Sequence, residues 1–102
     1  MLIYNVSYHL SEKQEKSFLI WLQEVYINTV SKEKLLKNPR ILKILSHQQD
    51  GDISYAVQWE VESSAVLHQW HMKQGNFLSD EISKIFGKDV MFFETLMREV
   101  DQ

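Results

Sequence analysis

The hydrophobic period of this chain runs at two residues, changes to the helical 3.6, and returns to two, and it does so twice. In residues 2–10, Leu2, Tyr4, Val6, Tyr8 and Leu10 fall on one side and Ile3, Asn5, Ser7 and His9 on the other, which marks a strand. Phe18, Trp21, Leu22 and Val25 then recur at helical spacing. That helix is expected to begin at Ser11, with Gln14 as its capping-box partner, and to run to about Val30. Asn38-Pro39 should stop any helical turn and open an extended segment, with Ile41, Leu42, Ile44 and Leu45 as a second strand. Residues 48–52, QQDGD, read as a hairpin turn with Asp50-Gly51 at its tip. The third strand is the clearest: Ile53, Tyr55, Val57, Trp59 and Val61 face one way, and Ser54, Ala56, Gln58 and Glu60 the other.

A second helix follows a cap at Ser63 or Ser64. Its inward stripe reads Leu67, Trp70, Gln74, Leu78, Ile82 and Ile85, with Gly75 as a weak point, and Gly87 ends it. Residues 89–100, DVMFFETLMREV, form the last strand. The order βαββαβ predicts an α+β, ferredoxin-like fold with strands one and three in the centre of an antiparallel sheet and both helices on one face. Residues 1–102 read as a single domain, without repeats or linkers.

Two helices cover one face of such a sheet, so the other face should be polar. Strand four instead has Val90, Phe92 and Leu96 on one side and Met91, Phe93 and Met97 on the other; strand two sets Leu42 and Ile44 against Ile41 and Leu45. Apolar residues on both sides imply burial on both sides. The expected cover is a second copy, sheet to sheet, giving a homodimeric barrel.

Composition narrows the function classes. The chain lacks cysteine, which excludes disulfides, thiolate catalysis and Cys-ligated metal. A net charge of −3 does not favour nucleic acid. No apolar run has the length of a membrane span, and MLIYNVSYHL has neither the basic start nor the cleavage site of a signal peptide. The expected location is therefore cytoplasmic, and the expected partners are a second copy and a small molecule.

The motifs IYNV (3–6), SYAVQW (54–59) and FETLM (93–97), with WLQEVYINTV (21–30), resemble an uncharacterised bacterial domain-of-unknown-function family. The resemblance spans nearly the whole chain. It implies a ferredoxin-like fold of the dimeric α+β barrel type and no particular activity. The chain departs from the family's pattern at three points: Tyr26 and Asn28 stand where the family has His and Pro, and Glu94 stands where it has Arg. An anion pocket built from that His and Arg is therefore not expected here.

The candidate ligand-binding residues are Asn5, Ser7, Gln58, Trp59, Trp70, His71 and Glu94. Asn5, Ser7 and His9 can lie beside Ser54, Gln58 and Glu60, either as the floor of a pocket or as a hydrogen-bond network that sets dimer register. In HQWHMKQG (68–75), His68 and His71 offer two nitrogens and no third ligand, so no metal site is expected. Glu94 is expected to face His9 or Arg98. The basic run Lys32, Lys34, Lys37, Arg40 and Lys43 reads as a solvated segment. No Ser/His/Asp spacing and no Gly-rich phosphate loop occurs.

The leading expectation is a small-ligand binding or regulatory dimer without a cofactor. The alternative is a monooxygenase-like enzyme of the same fold. In a haem-degrading form, His71 would ligate iron, with Asn5 and Trp59 or Trp70 around it. In a cofactor-independent form, Tyr4, Tyr8, Tyr55 and Trp59 would line the space for a phenolic substrate.

Overall fold

The computed structural model describes residues 1–46 and 51–101. Its strands are β1 (Leu2–Ser11), β2 (Leu36–Ile44), β3 (Asp52–Val61) and β4 (Val90–Arg98). They form one antiparallel sheet in the order β2-β3-β1-β4, so β3 and β1 are central, as predicted. Gln48, Gln49 and Asp50 of the expected hairpin turn lie outside the described residues; Gly51 takes φ +84°.

The first helix occupies residues 15–33 and the second residues 64–86. Each is α-helical at both ends with one π-type turn inside, Leu22–Tyr26 in the first and His71–Gly75 in the second. A π turn adds one residue and shifts the phase of everything after it. This corrects the first predicted stripe; in the second, Leu78 and Ile82 are buried as expected and only the last position differs. Tyr26 is buried where Val25 was expected, and Val25 is exposed. Phe86 is buried where Ile85 was expected, and Ile85 is exposed. The first helix also runs past Val30 to Glu33. Its expected capping box is absent: Ser11 precedes a short 3-10 turn, Glu12–Gln14, and makes no side-chain cap. Ser63 does cap the second helix, its Oγ accepting from the Val66 N–H at 3.2 Å. Asn38-Pro39 does not open β2 but sits inside it, at an irregularity between Lys37 and Arg40 where Asn38 takes φ +54°. Asn tolerates this left-handed conformation better than most residues, and Pro needs no ladder partner at a bulge.

The register sorts side chains cleanly. Tyr4 pairs with Trp59 and Leu96, Val6 with Val57 and Glu94, and Tyr8 with Tyr55 and Phe92. All of these face the helices. There all but Leu96 and Glu94 meet Phe18, Leu22, Tyr26 and Val30 of the first helix and Leu67, Trp70, Leu78, Ile82 and Phe86 of the second, in one core. The opposite face carries Asn5 beside Gln58 and Thr95, Ser7 beside Ala56 and Phe93, and His9 beside Ser54 and Met91. Among the described residues, no element covers this face. Phe93 is 56% exposed and Met91 57%, with Leu42 and Met97 also open. Among the described residues, no helix is long and apolar enough to cross a membrane.

Candidate functional site

Between β1, β4 and the two helices lies a cavity of about 20 Å³, the room of one water-sized group. Tyr4, Tyr8 and Glu94 wall it from the sheet, Trp21 and Tyr26 from the first helix, and Trp70, Gly75 and Ser79 from the second. Glu94 reaches this space because it pairs with Val6, whose side is the helix side. The side chains of Glu94 and His71 are 36% and 26% exposed, so they mark the solvent end; Tyr8, Trp21 and Tyr26 mark the buried end.

At the solvent end, His71 Nε2 lies 2.9 Å from Glu94 Oε2 and 3.4 Å from the Tyr4 hydroxyl. With the proton on Nε2, the imidazole donates to the carboxylate. The ring of His71 also meets Tyr4 edge-on, with centroids 5.5 Å apart. Glu94 therefore pairs with His71 rather than with His9 or Arg98. His9 is on the other face, its Nδ1 2.8 Å from Ser54 Oγ.

At the buried end, Trp59 Nε1 donates to the Tyr26 hydroxyl at 3.1 Å. Burial pushes the Tyr4, Tyr8 and Tyr26 hydroxyls far above the ordinary phenol range. The negative charge of Glu94 adds to this at all three. They remain neutral donors at any physiological pH. Trp21 is only 7% exposed, and its Nε1 is buried without a hydrogen-bond partner among the described residues. Such an orphan N–H costs about 1–3 kcal/mol.

The second helix is held at this level by a relay. Trp70 Nε1 donates to Gln74 Oε1 at 2.9 Å, and Gln74 Nε2 donates to the Thr29 carbonyl at 2.9 Å. Gly75 allows the close approach: a Cβ built there would lie 2.8 Å from both Trp70 Cζ3 and His71 Cδ2. The glycine read from sequence as a weak point is thus a spacing device.

The seven residues named from the sequence do not share one space. Asn5, Ser7 and Gln58 are on the open face. There Gln58 Nε2 donates to Asn5 Oδ1 at 3.3 Å, and Asn5 Nδ2 donates to Ser7 Oγ at 3.1 Å. Trp59, Trp70, His71 and Glu94 are on the helix side; Trp70 and Glu94 line the cavity, His71 braces Glu94, and Trp59 backs Tyr26. Of the aromatics considered for a phenolic substrate, Tyr4 and Tyr8 line the cavity, whereas Tyr55 donates to Glu15 Oε2 at 2.6 Å. Trp21 and Ser79 were missed, since neither carries a signal beyond its helical spacing. Tyr26 entered the sequence reading only where the resemblance implies another residue. Both Tyr26 and Glu94 line this one cavity.

The residues do not fit haem. His71 Nε2 is engaged by Glu94 and Tyr4, and the adjoining space is about 20 Å³. His68 is exposed, and among the described residues no three His, Asp or Glu side chains gather as a metal site would require.

The fold is shared with solved structures of low sequence identity. HapK from Hahella chejuensis superposes with a TM-score of 0.71 at 13% identity, over 100% of this chain and 95% of that one. An ethyl tert-butyl ether D (EthD) family protein from Bacillus halodurans gives 0.70 at 12%, over 98% and 100%. A protein described as dimeric and ferredoxin-like, from an uncultured marine organism, gives 0.69 at 10%, over 99% and 96%. At such identities the likeness shows the fold alone. No curated protein matches the sequence. The family model that does match covers residues 1–100, and the chain belongs to that family, a domain of unknown function (DUF4286).

Proposed function

We propose that this protein is a homodimer, joined through the open sheet face, in which each chain binds a small molecule at the cavity between sheet and helices. The observation that carries the binding reading is the Tyr4–His71–Glu94 cluster: a hydrogen-bonded carboxylate and imidazole at the mouth of a space walled by aromatic rings. Binding sites combine mostly apolar walls with a few convergent polar groups in this way. Were the bound molecule transformed, His71 and Glu94 would be the groups placed to take its proton, which is where a monooxygenase-like reading would begin.

The dimer reading is supported by Leu42, Met91, Phe93 and Met97, exposed around the Gln58–Asn5–Ser7 relay. An apolar patch with a polar centre is what a two-fold interface needs for both burial and register. The dimeric description of one structural neighbour is in keeping with it. Sedimentation velocity should give a dimer at micromolar concentration, and Phe93→Lys should give a folded monomer. A monomeric wild type would end this part of the proposal. For the cavity, phenol serves as a probe in NMR titration. Shifts should cluster at Tyr4, His71 and Glu94 and shrink in His71→Ala; shifts confined to the open face would refute the site.

A further inference from the structure

We propose that the cavity receives the acceptor oxygen of a neutral carbonyl compound, with Trp21 Nε1–H as its donor and Glu94 receiving a hydroxyl or N–H of the same molecule. The inference rests on the binding reading above and names the class of ligand. It begins with the orphan. Trp21 walls the cavity, is 7% exposed, and has a buried Nε1 with no partner among the described residues. Buried donors in folded proteins are matched, and no described residue supplies the acceptor, which a molecule in the cavity would. The other groups at the buried end add donors. The Tyr26 oxygen accepts from Trp59 Nε1 at 3.1 Å, and its hydroxyl also interacts with that of Tyr8, so two neutral hydroxyls stand at this end.

Size limits what enters. About 20 Å³ admits a single small head such as a carbonyl oxygen, not a phosphate group. The remainder of the molecule must lie toward Phe92 and Glu94 at the solvent end. Charge limits it further. Glu94 is the charged residue of the cavity wall, and Arg98, four residues further along β4, is not part of that wall. An anion brought beside Glu94 is repelled, whereas a neutral molecule with its own donor gains a charge-assisted hydrogen bond there.

Three matched probes test this. 4-Hydroxyacetophenone has both the carbonyl and the hydroxyl, 4-ethylphenol lacks the carbonyl, and 4-hydroxybenzoate replaces it with a carboxylate. The indole N–H resonances are followed by NMR, with Trp21 assigned through Trp21→Phe. 4-Hydroxyacetophenone should shift the Trp21 indole resonance; the other two should leave it in place. Trp21→Phe, checked for folding by circular dichroism, should weaken binding of 4-hydroxyacetophenone about three- to tenfold, the effect of one neutral hydrogen bond, and leave 4-ethylphenol unchanged. Glu94 is partly exposed, so Glu94→Gln should fold. In that protein 4-hydroxybenzoate should now reach the cavity and shift the Trp21 resonance.

Shifts at His71 and Tyr4 with an unmoved Trp21 indole would overturn this inference and leave the binding site standing. A Trp21 resonance that no probe moves, and that shows magnetisation transfer from a trapped water only, would also overturn it. The phenol titration would then decide the binding reading by itself.

Discussion

Gly75→Ala tests the close packing on which the site depends. Taken as a helical position alone, the change should stabilise: Ala is favoured over Gly in a helix interior by about 1 kcal/mol. The surroundings oppose it. The added Cβ would meet Trp70 Cζ3 and His71 Cδ2 at 2.8 Å and Trp70 Cε3 at 3.2 Å. Such contacts are relieved only if a ring moves, and neither ring is free to move. Trp70 is 2% exposed and pinned through Gln74 to the Thr29 carbonyl. His71 is held by Glu94 at 2.9 Å. Overpacking of this kind costs about 1–3 kcal/mol. Set against the helical gain, the net loss is about 1 kcal/mol, with zero to 2 as its range. For a domain of this size each kcal/mol lowers Tm by about 4–8 °C. Thermal unfolding by circular dichroism measures the shift, and NMR of the His71 ring reports whether its contact with Glu94 loosens. A Tm above wild type, with the His71 signals unmoved, would show that the rings are not locked and that the spacing argument is wrong.

Two further outcomes follow from the buried hydroxyls. All four tyrosines are held above the ordinary phenol range, Tyr55 pushed up to about 12 by burial and by its bond to Glu15. A folded-state pKa above the unfolded value near 10 stabilises fully below pH ~10 and is lost as pH rises through the folded value. Near-ultraviolet tyrosinate absorbance should therefore stay low in the native protein past pH ~10 and then rise together with unfolding; a tyrosine ionising at the ordinary value in the folded chain would contradict this. Trp59→Phe should cost about 2–3 kcal/mol, because a side chain with 0% exposure leaves a void and the Tyr26 oxygen loses its donor. Denaturant unfolding checks it, and a loss under half a kcal/mol would show that the Trp59–Tyr26 bond contributes little.

The strands were legible because alternation is a local property. Tyr4, Tyr55, Val57 and Trp59 can be placed on one face without knowing the rest of the fold, and the structure places them so. Helix phase was legible in part. Leu78 and Ile82 are buried as expected beyond the second π turn, whereas Val25 and Ile85 satisfy an ideal 3.6-residue stripe and are exposed, Tyr26 taking the place of the one at the first π turn and Phe86 that of the other at the helix end. A single sequence does not announce such a turn. The site was legible in part. Glu94, Trp70 and His71 were named, but not that His71 and Glu94 meet. Their 2.9 Å contact spans 23 residues and depends on how far the second helix leans toward the edge strand. The polar set Asn5, Ser7 and Gln58 was read correctly as mutual neighbours, yet parity places it on the face opposite Glu94.

The π turns and the cavity belong to one argument. Each helix is interrupted once, and each interruption supplies a wall of the same space: Tyr26 closes the turn in the first helix, and Gly75 closes the turn in the second. Without the extra residue in the first helix, the stripe would turn Val25 inward, and the cavity would lose the hydroxyl that Trp59 holds. In the second helix the turn carries both His71 and Gly75, so it positions the imidazole and makes the gap that the two rings need. Single π turns recur at functional sites because they cost regular hydrogen bonding and persist where a side chain must be re-aimed. Here both re-aim residues toward Glu94. Tyr26 and Glu94 thus bring a phenol and a carboxylate to one cavity, on a backbone whose irregular turns keep both positions facing the same space.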